Sequence, residues 1–293
     1  MSLDFIGAHV RETVVTTQAF SPAKINLYLR ITGKRPDGYH ELETVMLPLD
    51  FGDTMTFEPR PAGIELVCDD PRLPVNDNNL VVRAAKLLGA RGAKITLQKR
   101  TPLAAGLGGG SSNAATTLLA LGKGESPARL NELAAKLGSD INFFLAGGAA
   151  LCRGRGELVE PVPCKLSATV LLVNPGFGIS TKWAYENWAA MQLTAKPPDA
   201  SLLVRVLAED DLAGVCRSLY NSLEAPSVGK FPVLELLKET MRAGGAAGAL
   251  MSGSGATVFG LFAEAAAAEA SARLIREQFG PSMWTLAAKF RSA

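Results

Sequence analysis

The stretch "PLAAGLGGGSSNAA", Pro102–Ala115, places four glycines within residues 106–110 and then continues into a helix-forming sequence. It follows "AKITLQK", Ala93–Lys99, whose alternation of apolar and polar residues predicts a strand. Glycine loses more conformational freedom on folding than any other residue, so such a cluster indicates a backbone that something approaches closely. The order strand, glycine-rich turn, hydroxyl pair and helix favours a phosphate cradle, because backbone N–H groups and a helix N-terminus both attract an anion.

This loop matches neither of the two common phosphate-binding patterns. A Walker A loop needs a lysine after its last glycine, and no lysine occurs between Pro102 and Ala115. The dinucleotide pattern G-x-G-x-x-G, started at Gly106, meets Ser111 where its third glycine is required. A flexible turn before a helix is the alternative. The coupling to a strand and a helix favours the cradle, with Ser111 or Ser112 as the residue that caps the helix or reaches a phosphate or its metal.

The remaining pattern predicts an α+β protein of two lobes. "KINLYLRI", Lys24–Ile31, alternates and predicts a half-buried strand with Lys24 and Asn26 on its open face. A turn is expected at "DFGD", residues 50–53. Further helices are predicted over 76–90, 112–121 and 127–138, and further strands over 168–176 and 256–262. We expect a domain boundary within 155–165, which divides the chain into domains 1–160 and 161–293.

Composition narrows the class of protein. The 293 residues are 47% hydrophobic and 20% charged with a net charge of +2, which fits a globular protein without the basic stripe of a nucleic-acid binder. Two histidines and four isolated cysteines without a CxxC pair give little support to a zinc site or a disulfide framework. No apolar run is long enough to span a bilayer, and residues 1–15 lack the features of a signal peptide. A cytoplasmic protein without nucleic-acid or membrane partners is expected.

Three further elements suggest chemistry, and each has an ordinary alternative. Asp140 in "LGSDINFF" is either a helix cap or turn residue, or a carboxylate that accepts a proton from a substrate hydroxyl. Lys24 is either a solvated strand lysine or a charge that orients a carboxylate or a phosphate. "MSGSGATVFGLF", Met251–Phe262, is either a common loop before a strand or part of the same site.

The three motifs together resemble the GHMP kinase superfamily. "SPAKINL", "PLAAGLGGGSSNAA" and "MSGSGATVFGLF" occur in that family's order and cover nearly the whole chain. "ITGKRPDGYHELETVMLPLDFGDTM", Ile31–Met55, is similar to the signature of the 4-diphosphocytidyl-2-C-methyl-D-erythritol kinases, as are "LGSDINFFLAGGAALCRGRGE" and "YNSLE". This branch uses ATP to phosphorylate the 2-hydroxyl of its cytidine-diphosphate substrate in the non-mevalonate isoprenoid pathway.

The resemblance implies a fold and a set of roles. The fold would have an N-terminal α/β ATP-binding lobe and a C-terminal α/β sandwich lobe, with the active site between them. Lys24 and Asp140 would be the catalytic pair, with Asp140 taking the proton of the attacking hydroxyl. Mg²⁺ would be held mainly through the ATP phosphates, with Ser111 or Ser112 as candidate ligands. ATP would contact Asn79 and Leu80 near the adenine and, at the phosphates, Pro102, Leu103, Ala104, Ala105, Gly106, Leu107, Gly108, Gly109, Gly110, Ser111 and Ser112.

The same resemblance implies an acceptor pocket. Tyr39 would stack on the cytosine against a second tyrosine, and His40 would bind the edge of the base. Tyr39 and Tyr185 each have the alternative of an ordinary loop anchor. The remaining predicted pocket residues are Asn26, Lys99, Thr181 and Tyr185. The connector 122–127 is shorter than is usual in the family, and the stretch after Ala195 is poorly matched. We expect a monomer or a weak homodimer. Another GHMP small-molecule kinase and a non-catalytic nucleotide-binding relative are the alternative functions.

Overall fold

The computed structural model describes residues 16–191 and 197–292. Residues 1–15, for which the absence of a signal peptide was expected, lie outside the described residues. The strands are β1 Thr17–Lys34, β2 His40–Pro59, β3 Gly63–Cys68, β4 Gly92–Gln98, β5 Ala150–Gly154, β6 Leu158–Pro161, β7 Thr169–Asn174, β8 Tyr220–Asn221, β9 Gly248–Met251, β10 Val258–Phe262 and β11 Trp284–Lys289. The helices are α1 Leu80–Leu88, α2 Gly109–Leu121, α3 Pro127–Leu137, α4 Ile141–Ala146, α5 Thr181–Ala190, α6 Ala200–Ala208, α7 Leu212–Arg217, α8 Glu224–Lys230, α9 Val233–Ala243 and α10 Ala265–Phe279.

These elements build two sheets that pack in layers. The first sheet has the order β3-β4-β2-β1-β8, and β5 adds to β2 and carries β6. The second sheet has the order β11-β7-β10-β9. Apolar residues of β1 such as Ile25 and Leu27 share a core with Leu172 and Phe259 of the second sheet. The mixture of helices with two packed sheets confirms the predicted α+β class.

Helices cover the outer faces of both sheets. Met46 and Cys152 of the first sheet pack with the buried apolar residues of α2, α3 and α4. Val173 and Phe262 of the second sheet pack with α9 and α10. Both sheets are therefore buried on two sides, and burial of apolar area on this scale is the main term that stabilises a fold.

The predicted alternation of β1 is wrong in two respects. The pairing of β1 with β2 shifts register between Asn26 and Tyr28, which is a β-bulge that changes the side to which later residues point. Leu29 therefore lines the same cavity as Lys24 and Asn26, while Tyr28 joins the core on the other side. The face that carries Lys24 and Asn26 is also not open, because both side chains are almost completely buried.

The turn predicted at 50–53 is absent. β2 runs through this segment, where Gly52 pairs with Pro22 of β1 and the register shifts between Pro22 and Lys24. A Cβ atom at Gly52 would lie 2.1 Å from the Ser21 carbonyl oxygen, so the glycine permits close approach of two strands. Asp53 consequently points into the interior of the protein, where it is fully buried.

The other predicted elements are present. Asn79 caps α1 by accepting a hydrogen bond from the Val81 N–H at 2.9 Å, and Ser126 caps α3 at the end of the short connector. The structure begins α2 at Gly109, three residues before the predicted start, so two glycines of the cluster are helical. β6 in the first sheet is followed by β7 in the second, whereas β8 returns to the first. The domain boundary near residue 160 stays a prediction.

Candidate active site

A cavity of about 970 Å³ lies where the glycine loop, β1 and the start of α5 meet. Its walls come from both halves of the chain, because Gly253 and Ser254 of the third motif line it together with the first two motifs. The predicted site residues that line it are Lys24, Asn26, Tyr39, His40, Asn79, Leu80, Lys99, Pro102, Leu103, Ala104, Ala105, Gly106, Leu107, Gly108, Gly109, Gly110, Ser111, Asp140, Thr181 and Tyr185.

Ser112 is the exception among the predicted residues. Its side chain is fully buried, and its hydroxyl accepts a hydrogen bond from the Ser21 hydroxyl at 2.8 Å. The N-cap of α2 is Gly108, and no side chain caps that end. The structure therefore corrects two expectations: neither serine caps α2, and Ser112 faces the interior, which leaves Ser111 at the cavity.

Two glycines of the loop have neighbours that leave no room for a side chain, and a third does not. A Cβ atom at Gly106 would lie 2.1 Å from the Ser252 carbonyl oxygen, and at Gly108 it would lie 3.0 Å from Cε of Lys24. Both residues also adopt positive φ angles, which glycine adopts without steric strain. At Gly110 the nearest atom lies 3.8 Å away, so this position is open. Most of the cluster thus permits packing of the protein against itself, and only Gly110 presents open space.

Lys24 and Asp140 meet at the floor of the cavity. Nζ of Lys24 lies 3.5 Å from Oδ2 of Asp140 and donates a 2.6 Å hydrogen bond to Oδ1 of Asn26. The Asn26 amide in turn donates to the Thr44 hydroxyl at 2.9 Å. Lys24 is buried, whereas the Asp140 side chain is 35% exposed. The pair therefore combines a fixed ammonium group with a carboxylate that a substrate can reach.

Asp140 stands at the N-cap position of α4, as one of the two alternatives predicted. Its side chain makes no capping hydrogen bond. A carboxylate at this position usually accepts from the backbone N–H groups of the first turn. The Asp140 carboxylate faces Lys24 instead. Asp140 therefore occupies the N-cap position without capping the helix through its side chain.

Lys99 belongs to a buried polar cluster beneath the loop. Its ammonium group pairs with Asp53, and it lies 2.8 Å from the point where a Cβ of Gly109 would stand. Asp53 also accepts from the backbone N–H groups of Arg100 and Thr101 at 2.8 Å each and from the Asn113 amide at 2.9 Å. This cluster fixes the chain immediately before Pro102. Asp53 was not predicted to have this role, because "DFGD" has the composition of a turn.

The predicted base-binding residues Tyr39 and His40 also line the cavity. Tyr39 is 55% exposed, with the Arg155 guanidinium 4.9 Å from the centre of its ring. The His40 ring stacks on Tyr185 at 4.9 Å and meets Trp188 edge-on. Nε2 of His40 is buried without a hydrogen-bond partner in the described part of the chain. The aromatic pair seen here is thus His40 with Tyr185, and the sandwich of a base between Tyr39 and Tyr185 stays a prediction.

Burial changes the ionisation of these aromatic residues. Desolvation, with a smaller contribution from the charge of Lys34, lowers the pKa of His40 below its ordinary value of 6.5. Desolvation and the neighbouring Asp140 charge raise the pKa of Tyr185. Both side chains are therefore uncharged at neutral pH, and His40 presents one ring nitrogen as donor and one as acceptor.

The predicted contacts Asn79 and Thr181 also line the cavity. Both ends of the Asn79 amide are hydrogen-bonded: its oxygen accepts from the Val81 N–H, and its nitrogen donates to the Pro74 carbonyl at 2.8 Å. The Thr181 and Ser254 hydroxyls are 3.0 Å apart. Arg155 and Ser254 are cavity residues that the sequence analysis did not name, although both fall within stretches that carried the family resemblance. In the described ranges, no helix meets the length and apolarity that a bilayer crossing requires.

Comparison with known proteins identifies the family to which this chain belongs. The model of the GHMP kinases N terminal domain matches residues 79–148, and that of the GHMP kinases C terminal matches residues 203–280. A 4-diphosphocytidyl-2-C-methyl-D-erythritol kinase of Pelotomaculum thermopropionicum is 47% identical over 257 residues, covering 84% of this chain and 89% of the relative. One from Geobacillus kaustophilus is 42% identical, covering 82% of this chain and 86% of the relative.

Solved structures, together with the two family models, confirm the predicted two-lobed GHMP kinase architecture. A crystal structure of 4-(cytidine 5'-diphospho)-2C-methyl-D-erythritol kinase superposes with a TM-score of 0.79 at 34% identity, covering 94% of this chain and 100% of that one. Homoserine kinase from Cytophaga hutchinsonii superposes with a TM-score of 0.69 at 19% identity over 99% and 98% of the two chains, and shows the fold alone. The chain therefore belongs to the 4-diphosphocytidyl-2-C-methyl-D-erythritol kinase family of the GHMP kinases.

Proposed function

We propose that this chain transfers the γ-phosphoryl group of ATP to the 2-hydroxyl of 4-diphosphocytidyl-2-C-methyl-D-erythritol, a step of the non-mevalonate isoprenoid pathway. The observation that carries the proposal is the Lys24–Asp140 pair, 3.5 Å apart, in the same cavity as the glycine loop. The Lys24 side chain runs directly against Gly108 of that loop. A phosphate donor and a base for the acceptor hydroxyl would therefore meet in one place.

ATP would bind with its phosphates at the loop 102–111 and at the N-terminus of α2. No side chain caps that end of the helix, so its first N–H groups are free to donate to phosphate oxygens. Gly110 faces open space at the same point. Asn79 and Leu80 line the adjoining wall, where the adenine would lie.

Mg²⁺ fits this cavity as an ion that arrives with the nucleotide. Within residues 16–191 and 197–292 no group of three or more His, Cys, Asp or Glu side chains could hold a metal. Mg²⁺ commonly uses one or two protein oxygens together with substrate phosphates and water. Ser111, one of the two predicted Mg²⁺ ligands, offers a hydroxyl oxygen at the cavity. When bound there, the ion would neutralise charge on the phosphates. Lys24 and Lys99 at the cavity are already paired with carboxylates and supply less of that charge.

The reaction would use Asp140 as the proton acceptor. The acceptor oxygen attacks the γ-phosphorus, the bond to the oxygen between the β- and γ-phosphorus atoms breaks, and ADP leaves with that bonding pair. The proton of the attacking hydroxyl passes to Asp140. Lys24, fixed by Asn26, holds the carboxylate and the hydroxyl in line, since phosphoryl transfer depends mainly on positioning and on charge stabilisation.

The cytidine would bind at Tyr39 and His40. Nε2 of His40 is buried and unpartnered among the described residues, so a ligand that hydrogen-bonds there removes an unfavourable desolvated atom. Tyr39 offers an exposed ring for stacking. Thr181 and Tyr185 would line the rest of the acceptor pocket, with Asn26 at its catalytic end. Lys99 contacts Asp53 and Gly109, which supports a role at the phosphate side of the acceptor.

An ADP-release assay with a panel of acceptors tests the proposal. We expect turnover with 4-diphosphocytidyl-2-C-methyl-D-erythritol and none with mevalonate, homoserine or galactose. Turnover with one of the other acceptors would instead support another GHMP small-molecule kinase. ATP binding without turnover on any acceptor would support a non-catalytic relative.

Assembly and location are part of the same proposal. We expect a monomer or weak homodimer in the cytoplasm, acting on a small molecule and not on nucleic acid. The net charge of +2 gives no basic surface for nucleic acid. Sedimentation velocity across a range of protein concentrations measures the assembly, and a concentration-independent higher oligomer would contradict it.

A further inference from the structure

The third glycine-rich motif is held by side chains that lie outside all three motifs. Asn221 in β8 donates from its amide to the carbonyl oxygens of Met251 and Gly253, at 2.8 Å each. Its own Oδ1 accepts from the Leu223 N–H at 2.8 Å. The Asn221 side chain is therefore fully hydrogen-bonded and binds both sides of Ser252.

Glu224 holds the same turn from a second direction. Its Oε1 accepts from the Met251 N–H at 2.8 Å and lies 3.0 Å from Nζ of Lys238. Lys238 is buried, and it also pairs with Glu235 at 2.8 Å. A buried ammonium group needs such partners, and it fixes the carboxylates around it.

The turn connects these groups to the catalytic cavity. The Ser252 hydroxyl donates to the Gly106 carbonyl at 3.0 Å and accepts from the Asn26 N–H at 3.4 Å. A Cβ atom at Gly253 would lie 3.3 Å from the same Gly106 oxygen. Asn26 in turn holds Lys24. The turn therefore helps to fix the positions of both the glycine loop and the Lys24–Asp140 pair.

We propose that Asn221 and Glu224, with Lys238 behind Glu224, are positioning residues that set the Met251–Gly253 turn and through it the glycine loop. None of the three lines the cavity, so they act through Ser252 and contact neither substrate. The proposal rests on the proposed kinase function for its kinetic consequences, although its structural consequence is independent of activity. A role confined to stability of the second sheet is the competing explanation.

Two pairs of variants separate these explanations. Asn221→Leu removes both hydrogen bonds to the turn, and Ser227→Ala is its control, because Ser227 is buried on α8 and its hydroxyl donates to the Leu223 carbonyl instead of to the turn. Glu224→Gln keeps an oxygen that can accept from the Met251 N–H, whereas Glu224→Leu does not. Circular dichroism and melting temperature establish that each variant is folded.

The kinetic readout is kcat/KM for ATP, measured at saturating acceptor. We expect Asn221→Leu and Glu224→Leu to lower it at least tenfold, with the acceptor KM changed less than threefold. Glu224→Gln and Ser227→Ala should stay within threefold of the parent chain. If Asn221→Leu and Glu224→Leu are folded and their kcat/KM for ATP is unchanged, the proposal is overturned.

Hydrogen exchange provides a readout that does not need activity. Amides of the segment 102–112 should exchange faster in Asn221→Leu than in Ser227→Ala when the two variants are compared at equal stability. Equal exchange of that segment in both variants would overturn the positioning role. A parent chain without kinase activity would remove the proposed function, and the exchange comparison would still decide this inference.

Discussion

A methyl group added at Gly110 and one added at Gly106 should have opposite effects on stability. Gly110 is the second residue of α2, and the nearest atom to its added Cβ is Cδ1 of Leu80 at 3.8 Å, an ordinary contact. Alanine is more favourable than glycine within a helix by up to about 1 kcal/mol. Gly110→Ala should therefore fold normally and melt at the same or a slightly higher temperature.

At Gly106 the same change is strongly unfavourable. The residue has a φ angle of 78°, which costs a residue with a side chain roughly 1–2 kcal/mol. Its Cβ would stand 2.1 Å from the Ser252 carbonyl oxygen, and relief of such overpacking costs roughly 1–3 kcal/mol. The two effects together predict a loss of about 2–5 kcal/mol in the free energy of unfolding.

Although Gly110→Ala should not reduce stability, we expect it to weaken ATP binding. If the triphosphate lies against the start of α2, the methyl of Gly110→Ala stands in its path, and KM for ATP should rise about tenfold, equivalent to roughly 1.4 kcal/mol. Gly229→Ala on α8 is the matched control, because Gly229 is also helical and its added Cβ would meet no atom within 4 Å. Urea denaturation and steady-state kinetics measure both effects. An unchanged KM for ATP in a stable Gly110→Ala chain would refute the placement of the phosphates.

Four other changes test separate parts of the structure. Asp140→Asn should lower kcat about 10²–10⁴-fold without changing circular dichroism, because the side chain caps no helix; full turnover would exclude Asp140 as the base. Tyr39→Ala should raise the acceptor KM by about 10–100-fold, from stacking of roughly 1–3 kcal/mol, while Tyr39→Phe should not, and equal effects would argue against stacking. Asp53→Ala should reduce the free energy of unfolding in urea by about 3–5 kcal/mol, because it leaves Lys99 buried and unpaired; a loss below about 1 kcal/mol would contradict this. His40 has a lowered pKa when folded, so its contribution to stability is lost as the pH falls below 6.5, and His40→Gln should flatten the decline of melting temperature there; an unchanged slope would contradict the assignment.

The sequence alone was sufficient to predict the structure where local residue patterns agree with the fold. The helices α1 and α3 carry side-chain caps that can be identified from residue type, and β4 shows the simple alternation of a strand. The three motifs predicted the family, and nearly all the predicted site residues line the cavity.

It was insufficient where contacts between distant segments decide the geometry. The bulge at Asn26–Tyr28 depends on the partner strand, and no alternation pattern of β1 alone contains it. "DFGD" has the composition of a turn, yet the pairing of Gly52 with Pro22 keeps the strand continuous and buries Asp53. Ser112 has the same type as Ser111, and only the packing of α2 against Ser21 distinguishes them.

The glycine cluster shows the same dependence on distant contacts. Its composition indicated a close approach of something to the backbone. At Gly106 the close atom belongs to Ser252, and at Gly108 the close atoms belong to Phe144 and Lys24, so the loop is shaped by distant segments that include the catalytic lysine. The cavity for the phosphates is thus a consequence of packing between the two halves of the chain.

The most direct test of the proposed reaction is the identity of its product. Purified chain would be incubated with ATP, Mg²⁺ and 4-diphosphocytidyl-2-C-methyl-D-erythritol, and the mixture followed by phosphorus NMR beside an Asp140→Asn control. We predict a new phosphomonoester signal on the 2-oxygen of the acceptor, formed in step with ADP and strongly reduced in the control. ADP formed without that phosphomonoester, or the phosphomonoester formed equally by Asp140→Asn, would contradict the account.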